Sequence, residues 1–195
     1  MYSVRRSLFI LAVAGISLLA GCATPEHRAD RAMKAGNHER ALELYQMEID
    51  RGSRDPDLYH KAAKAAIQGG SFARAERFFS RALRYGGGKD VAKSLAEFYL
   101  QTSNYASAVR VLQQLLDVVE NPQPVYNNLG TALMYSGMPL DAESYLLVAQ
   151  QMEPEDPIPY LNLGLLYDEH LRQPRLALSF YRCYVKFGAR KQQRR

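Results

Sequence analysis

An alanine recurs along this chain at Ala41, Ala75, Ala108, Ala142 and Ala177, at spacings of 34, 33, 34 and 35 residues. A large residue follows each one four places later: Tyr45, Phe79, Leu112, Leu146 and Tyr181. Residues at i and i+4 share one face of a helix. A period of this length, kept over five copies, leaves few folds open. Each copy has room for two short helices and a turn. One such unit cannot bury its apolar face alone, so the copies must stack.

The unit is most complete between Pro124 and Pro154. Tyr126, Leu129, Gly130 and Leu133 lie at i, i+3, i+4 and i+7, one face of a first helix. Ser136-Gly137-Met138-Pro139 makes a turn, with Pro139 where a new helix starts. Ala142, Leu146 and Ala149 form one face of a second helix, and Pro154 closes the unit. Tyr160, Leu163 and Gly164 repeat the first face 34 residues later, and Leu95-Ala96 stands 34 residues before Leu129-Gly130. Small residues at Gly130, Ala142 and Ala149 let helix backbones approach, while Tyr126 and Leu146 fill the space between pairs.

This pattern resembles the tetratricopeptide (TPR) repeat. The resemblance implies an all-α fold, a right-handed solenoid of about five helix-turn-helix repeats. The array spans residues 25–187, divided at 25–55, 56–88, 89–122, 123–156 and 157–187. The last two copies carry the most specific motifs and the first carries the weakest. The fifth copy holds one extra residue, expected around Arg172-Gln173-Pro174. Residues 188–195 form a basic tail, expected to fray.

The N-terminus has a separate logic. Arg5 and Arg6 precede an apolar run from Leu8 to Leu19, too short to span a bilayer as a stable helix. Leu19-Ala20-Gly21-Cys22 follows and resembles the bacterial lipobox; the other reading is a plain secretory signal with a chance cysteine. The resemblance implies a signal peptide over residues 1–21, cleaved before a lipidated Cys22. Residues 22–28 lead directly into the first helix, since Thr24-Pro25-Glu26 reads as a helix start. Several acyl chains on one cysteine make a lasting anchor. Ala23, in place of Asp, implies the outer membrane and its periplasmic face in a Gram-negative source. Losing Arg5 and Arg6 takes the formal net charge from +5 to +3, too little to argue for nucleic-acid binding. Cys183 has no intrachain partner once Cys22 is acylated, and reads as an inert thiol.

Catalytic patterns fail on inspection. Gly86-Gly87-Gly88-Lys89-Asp90 lacks the first glycine and the Ser or Thr of a phosphate-binding loop. His38-Glu39 is followed by Leu42 where a zinc-protease motif needs a second histidine. The four histidines are dispersed without metal-ligand spacing, and no Gly-x-Ser-x-Gly elbow is present. The expectation is a non-enzyme without cofactor or metal.

In TPR proteins the first helices line a concave groove that takes a peptide or a helix from a partner. Mapped by register, that face carries His60, Lys64 and Ile67, then Lys93, Glu97 and Leu100. Asn127, Thr131, Met134 and Tyr135 follow, and then Leu161, Leu165 and Asp168. Its polar end falls in repeats two and three. Met134, Leu161 and Leu165 give the other end an apolar character, either as an open groove or as residues covered by the C-terminal segment. Lys64, Lys93 and Asn128 partly echo a carboxylate clamp.

A lipid-anchored TPR array resembles three groups of envelope proteins. They are the pilotin-type lipoproteins of type IV and tight-adherence (Tad) pilus systems, the scaffolds of peptidoglycan hydrolases, and the accessory lipoproteins of outer-membrane protein assembly. Size and TPR-only content favour the first. The implied partners are proteins of the cell envelope, such as a secretin or a pilus-assembly component, with membrane contact through the lipid and no nucleic acid.

Overall fold

The computed structural model describes residues 24–193. Cys22 and the leader lie outside the described residues. Ten α-helices follow one another in antiparallel pairs, and no strand occurs among the described residues. The first helices of the pairs are α1 (Pro25–Lys34), α3 (Pro56–Gln68), α5 (Lys89–Gln101), α7 (Gln123–Tyr135) and α9 (Pro157–Leu165). The second helices are α2 (His38–Asp50), α4 (Phe72–Arg84), α6 (Tyr105–Leu116), α8 (Pro139–Met152) and α10 (Pro174–Gln193). The architecture is the expected solenoid of helix-turn-helix units.

Short side chains start many of these helices. Thr24, Asn37, Asp55 and Asn104 accept hydrogen bonds from the backbone N–H groups of His27, Arg40, Asp57 and Ser107. The turn inside each pair needs one residue in the left-handed region. That residue is Gly36, Gly70, Ser103, Gly137 and Arg172 in turn, with φ between 56° and 81°. Glycine adopts this conformation without steric cost; Ser103 and Arg172 do not.

The recurring alanine is fully buried in four pairs and 1 % exposed at Ala177. Tyr45, Phe79, Leu112 and Leu146 are buried beside it. A Cβ placed on Gly130 would lie 2.6 Å from Leu146 Cγ and 3.1 Å from the Ala142 carbonyl oxygen. A Cβ on Gly164 would collide with the Tyr181 ring. The two glycines therefore mark where first and second helices come closest.

Two details depart from the sequence-based expectation. The extra residue of the fifth pair is absorbed as a π-helical turn over Leu166–His170, before Arg172-Gln173-Pro174. In the fourth pair Met138 N–H donates to the Leu133 carbonyl, five residues back; in the fifth, Gln173 N–H donates to the Tyr167 carbonyl, six residues back. Widening the last helical turn keeps both flanking faces in register. The expected frayed tail is also partly helical. α10 runs 20 residues, through Gly188 to Gln193, and Lys191 pairs with Asp156 at 3.1 Å.

Glycine substitution tests this packing. Gly130→Leu is expected to cost at least about 1–3 kcal/mol through overpacking. Gly188→Ala, where an added Cβ meets nothing within 4 Å, is expected to gain about 0.5–1 kcal/mol from better helix propensity. Denaturant melts of the two variants should shift in opposite directions.

Candidate functional site

Side chains of successive first helices reach one another. His60 Nε2 and Ser94 Oγ are 2.9 Å apart, linking α3 to α5. Asn162 Nδ2 donates to Asn127 Oδ1 at 2.9 Å, linking α9 to α7. Lys61 Nζ, on α3, reaches Glu26 at 2.7 Å and Asp30 at 3.4 Å, both on α1. These contacts make the first helices the inner row of the solenoid.

Two clefts open along that row. One, of about 270 Å³, is lined by Met33, Lys64, Ile67, Ser94, Glu97 and Gln101, with Phe79 and Phe98 at its floor. The next, of about 280 Å³, is lined by Lys93, Glu97, Asn121, Pro124 and Asn128 over Leu112, Leu115 and Val125. Glu97 belongs to both. Each cleft thus pairs an apolar floor with a polar rim, the arrangement of a small binding pocket.

The rim charges are open to a ligand. Among the described residues no ion pair involves Lys64, Lys93 or Glu97. On α1 the acids at equivalent register, Glu26 and Asp30, are instead held by Lys61. Burial tends to raise the Asp30 carboxyl, but the Tyr45 hydroxyl and the Lys61 ammonium outweigh it and leave its pKa lowered. Lys61 in turn is raised, chiefly by its bond to Glu26.

The other residues mapped to this face take different places. His60 is half-buried against Phe79, with ring centroids 5.9 Å apart. Leu100 is half-buried and packs on the core. Asn127 is buried and committed to Asn162, and the Thr131 hydroxyl donates back to the Asn127 carbonyl at 2.9 Å. Met134 is fully buried, so it belongs to the core and not to a groove. Leu165 packs half-buried against the same core, and Leu161 is half-buried. Tyr135 stacks on Tyr105 at 5.1 Å and meets His170 edge-on. Asp168 is exposed and accepts from the Tyr181 hydroxyl at 3.4 Å.

The clefts therefore gather Lys64, Ile67, Lys93 and Glu97. The apolar end drawn from Met134, Leu161 and Leu165 does not form an open groove around Met134. Met33, Ser94, Gln101 and Asn121 were missed. Met33 was legible, because it stands one period from Ile67; Gln68 and Gln101, one place past Ile67 and Leu100, were not. His38 and Glu39 line a separate open cleft of about 580 Å³ between the turns inside the first and second pairs. No cluster of three metal-ligating side chains occurs among the described residues.

Burial and the neighbouring Lys64 lower the His60 pKa. The folded state therefore binds this proton less readily than the unfolded chain. Its contribution is present above the unfolded value of about 6.5 and is lost as pH falls below that and through the lower folded value. The drop in melting temperature between pH 7 and pH 5 should be smaller in His60→Gln than in the parent.

A tetratricopeptide-repeat family model matches residues 27–90 and 60–123. The match falls on the first three helix pairs and not on the Pro124–Pro154 unit, whose motif reads as the most complete. No curated protein sequence gives a significant match. Among solved structures, YrrB, described as a TPR protein with an unusual peptide-binding site, is 21% identical with a TM-score of 0.70; the alignment covers 84% of each chain. MamA from Desulfovibrio magneticus RS-1 (residues 41 to the end) is 17% identical with a TM-score of 0.76, over 85% of this chain and 93% of its own. A MamA form from strain MSR-1 is 19% identical with a TM-score of 0.72, over 86% of this chain and 96% of its own. At these identities the likeness is one of fold. Residues 27–123 thus carry tetratricopeptide repeats, and the helical array as a whole has the fold of solved TPR proteins.

Proposed function

We propose that this chain is a non-catalytic scaffold that holds a peptide segment of an envelope protein on the inner row of α3, α5 and α7. The observation that carries this is the pair of adjoining clefts joined at Glu97, each with an apolar floor and rim charges that have no ion-pair partner among the described residues. An extended or helical peptide would seat one apolar side chain in each cleft. Its charges would meet Lys64, Glu97 and Lys93. The peptide-binding site described for YrrB, a protein of similar fold, supports the assignment.

The scaffold works from the periplasmic face of the outer membrane, anchored through acylated Cys22. Support comes from the order of Arg5-Arg6, the apolar run, Leu19-Ala20-Gly21-Cys22 and Ala23. With Thr24 already capping α1, the tether is short and the array stays close to the lipid. Its role is to assist assembly of a pilus or secretion apparatus of the Tad or type IV kind, in the manner of a secretin pilotin. Size and TPR-only content support that role above hydrolase or outer-membrane-assembly scaffolding.

Crosslinking in the source cells, purification and mass spectrometry test the proposal. The expected result is recovery of a secretin or pilus-assembly component from the parent and its loss from Glu97→Lys with Lys93→Glu, without a change in melting temperature. Recovery of a wall hydrolase or an outer-membrane assembly factor would replace the apparatus, and undiminished recovery by the double variant would move the site. Cys22→Ser is expected to shift the protein from the membrane to the soluble fraction; an unchanged distribution would contradict the anchor.

A further inference from the structure

The joints between pairs have a fixed register. The position one past the recurring alanine and the position eight past it face the next first helix. Glu76, one past Ala75, accepts from the Tyr99 hydroxyl at 2.8 Å. Glu143, one past Ala142, accepts from the Tyr167 hydroxyl. Gln150, eight past Ala142, donates to the Tyr160 hydroxyl at 2.9 Å. Where these positions are apolar they are covered: Leu42, Ile49 and Val109 are buried, and Leu83 and Leu116 are half-buried.

On α10 the same two positions are Leu178 and Val185, 51 % and 66 % exposed. Arg182 and Ala189 continue their line at i+4 and i+11, and both are exposed. The seam is a helix-receiving face with no helix on it among the described residues. Where two of the earlier joints place a glutamate to meet a tyrosine hydroxyl, this one places leucine.

Charge selects the occupant. From Pro174 to Arg195 the sequence holds seven Arg or Lys and no Asp or Glu. Among the described residues the only ion pair α10 makes is Lys191 with Asp156. Lys186 and Arg190 lie over the Phe187 ring, at 5.4 and 5.8 Å from its centroid. A second copy would set against this basic helix either α10 itself or α1, which carries Arg28, Arg31 and Lys34 and whose acids Glu26 and Asp30 are already held by Lys61. A membrane surface would favour a broad apolar face, whereas the apolar seam here is one residue wide and interrupted by Arg182.

We propose that the exposed face of α10 docks an acidic amphipathic helix of another protein, which packs on Leu178, Val185 and Ala189 as the next first helix would and places carboxylates against Arg182 and Lys186. This surface is separate from the α3–α5–α7 clefts and does not depend on them.

Carbodiimide coupling tests it, because it joins Lys186 directly to carboxylates in contact. The full chain, tagged and in its source cells, is coupled and the segment attached to Lys186 is sequenced by mass spectrometry. The expected product is one segment of another protein, net negative and apolar at i, i+3 or i+4, and i+7. It should fall at least about tenfold (an order-of-magnitude expectation) in Leu178→Glu with Val185→Glu, and again in Arg182→Glu. Both sites are exposed, so the melting temperature should hold in each variant. Attachment to a second copy of this chain, binding only to phosphatidylglycerol vesicles, absence of any intermolecular product, or a product unchanged in the leucine–valine variant would each overturn the proposal.

Discussion

Close approach of two helices in each pair is the constraint on which the rest of this molecule depends. Helices of 9 to 14 residues, which is all of them except α10, are marginal alone in water. They persist because a small residue on each lets the partner's large side chain reach between them. Ala142, Gly130 and Leu146 make one such lock, and Ala177, Gly164 and Tyr181 the next. Pairs held this way expose an apolar face that only another pair can cover, so stability accumulates by stacking. The locks sit between first and second helices, which leaves the inner edges of the first helices for polar contacts and for ligands.

That division explains how much of the fold could be read from the sequence. The alanine spacing is a property of the locks, and it located the helix pairs directly. Three of the turns use glycine at the left-handed position; Ser103 and Arg172 adopt the same conformation without the usual residue. The extra residue in the fifth pair was counted correctly but placed too late. Period counting sees the net insertion, whereas a π turn hides it inside a helix. The continuation of α10 past residue 188 was missed for a related reason, since charge and polarity at a chain end read as fraying.

The site was legible in its polar half and misread in its apolar half. Lys64, Lys93 and Glu97 sit where the register puts them, because charged side chains on an inner helix face have little alternative to solvent. Met134 stands at the register of Ile67, which lines a cleft, and is buried. Helical periodicity assigns a direction to a side chain; it does not say how far the neighbouring element extends over it. Asn127 shows the converse, a polar residue on the inner row taken up by a structural bond to Asn162. Lys64, Lys93 and Glu97, without an ion pair among the described residues, mark the cleft rims more sharply than register does.

The central claim is that a ligand is taken on the inner row at Glu97 and not at the apolar end of the same row or on the outer helices. A photo-crosslinking amino acid placed singly at Glu97, at Leu161 and at the exposed outer residue Gln113, in the source cells, tests it most directly. Adducts with a partner from position 97, and none from 161 or 113, are the predicted result. Adducts from 161 or 113 with none from 97 would contradict it.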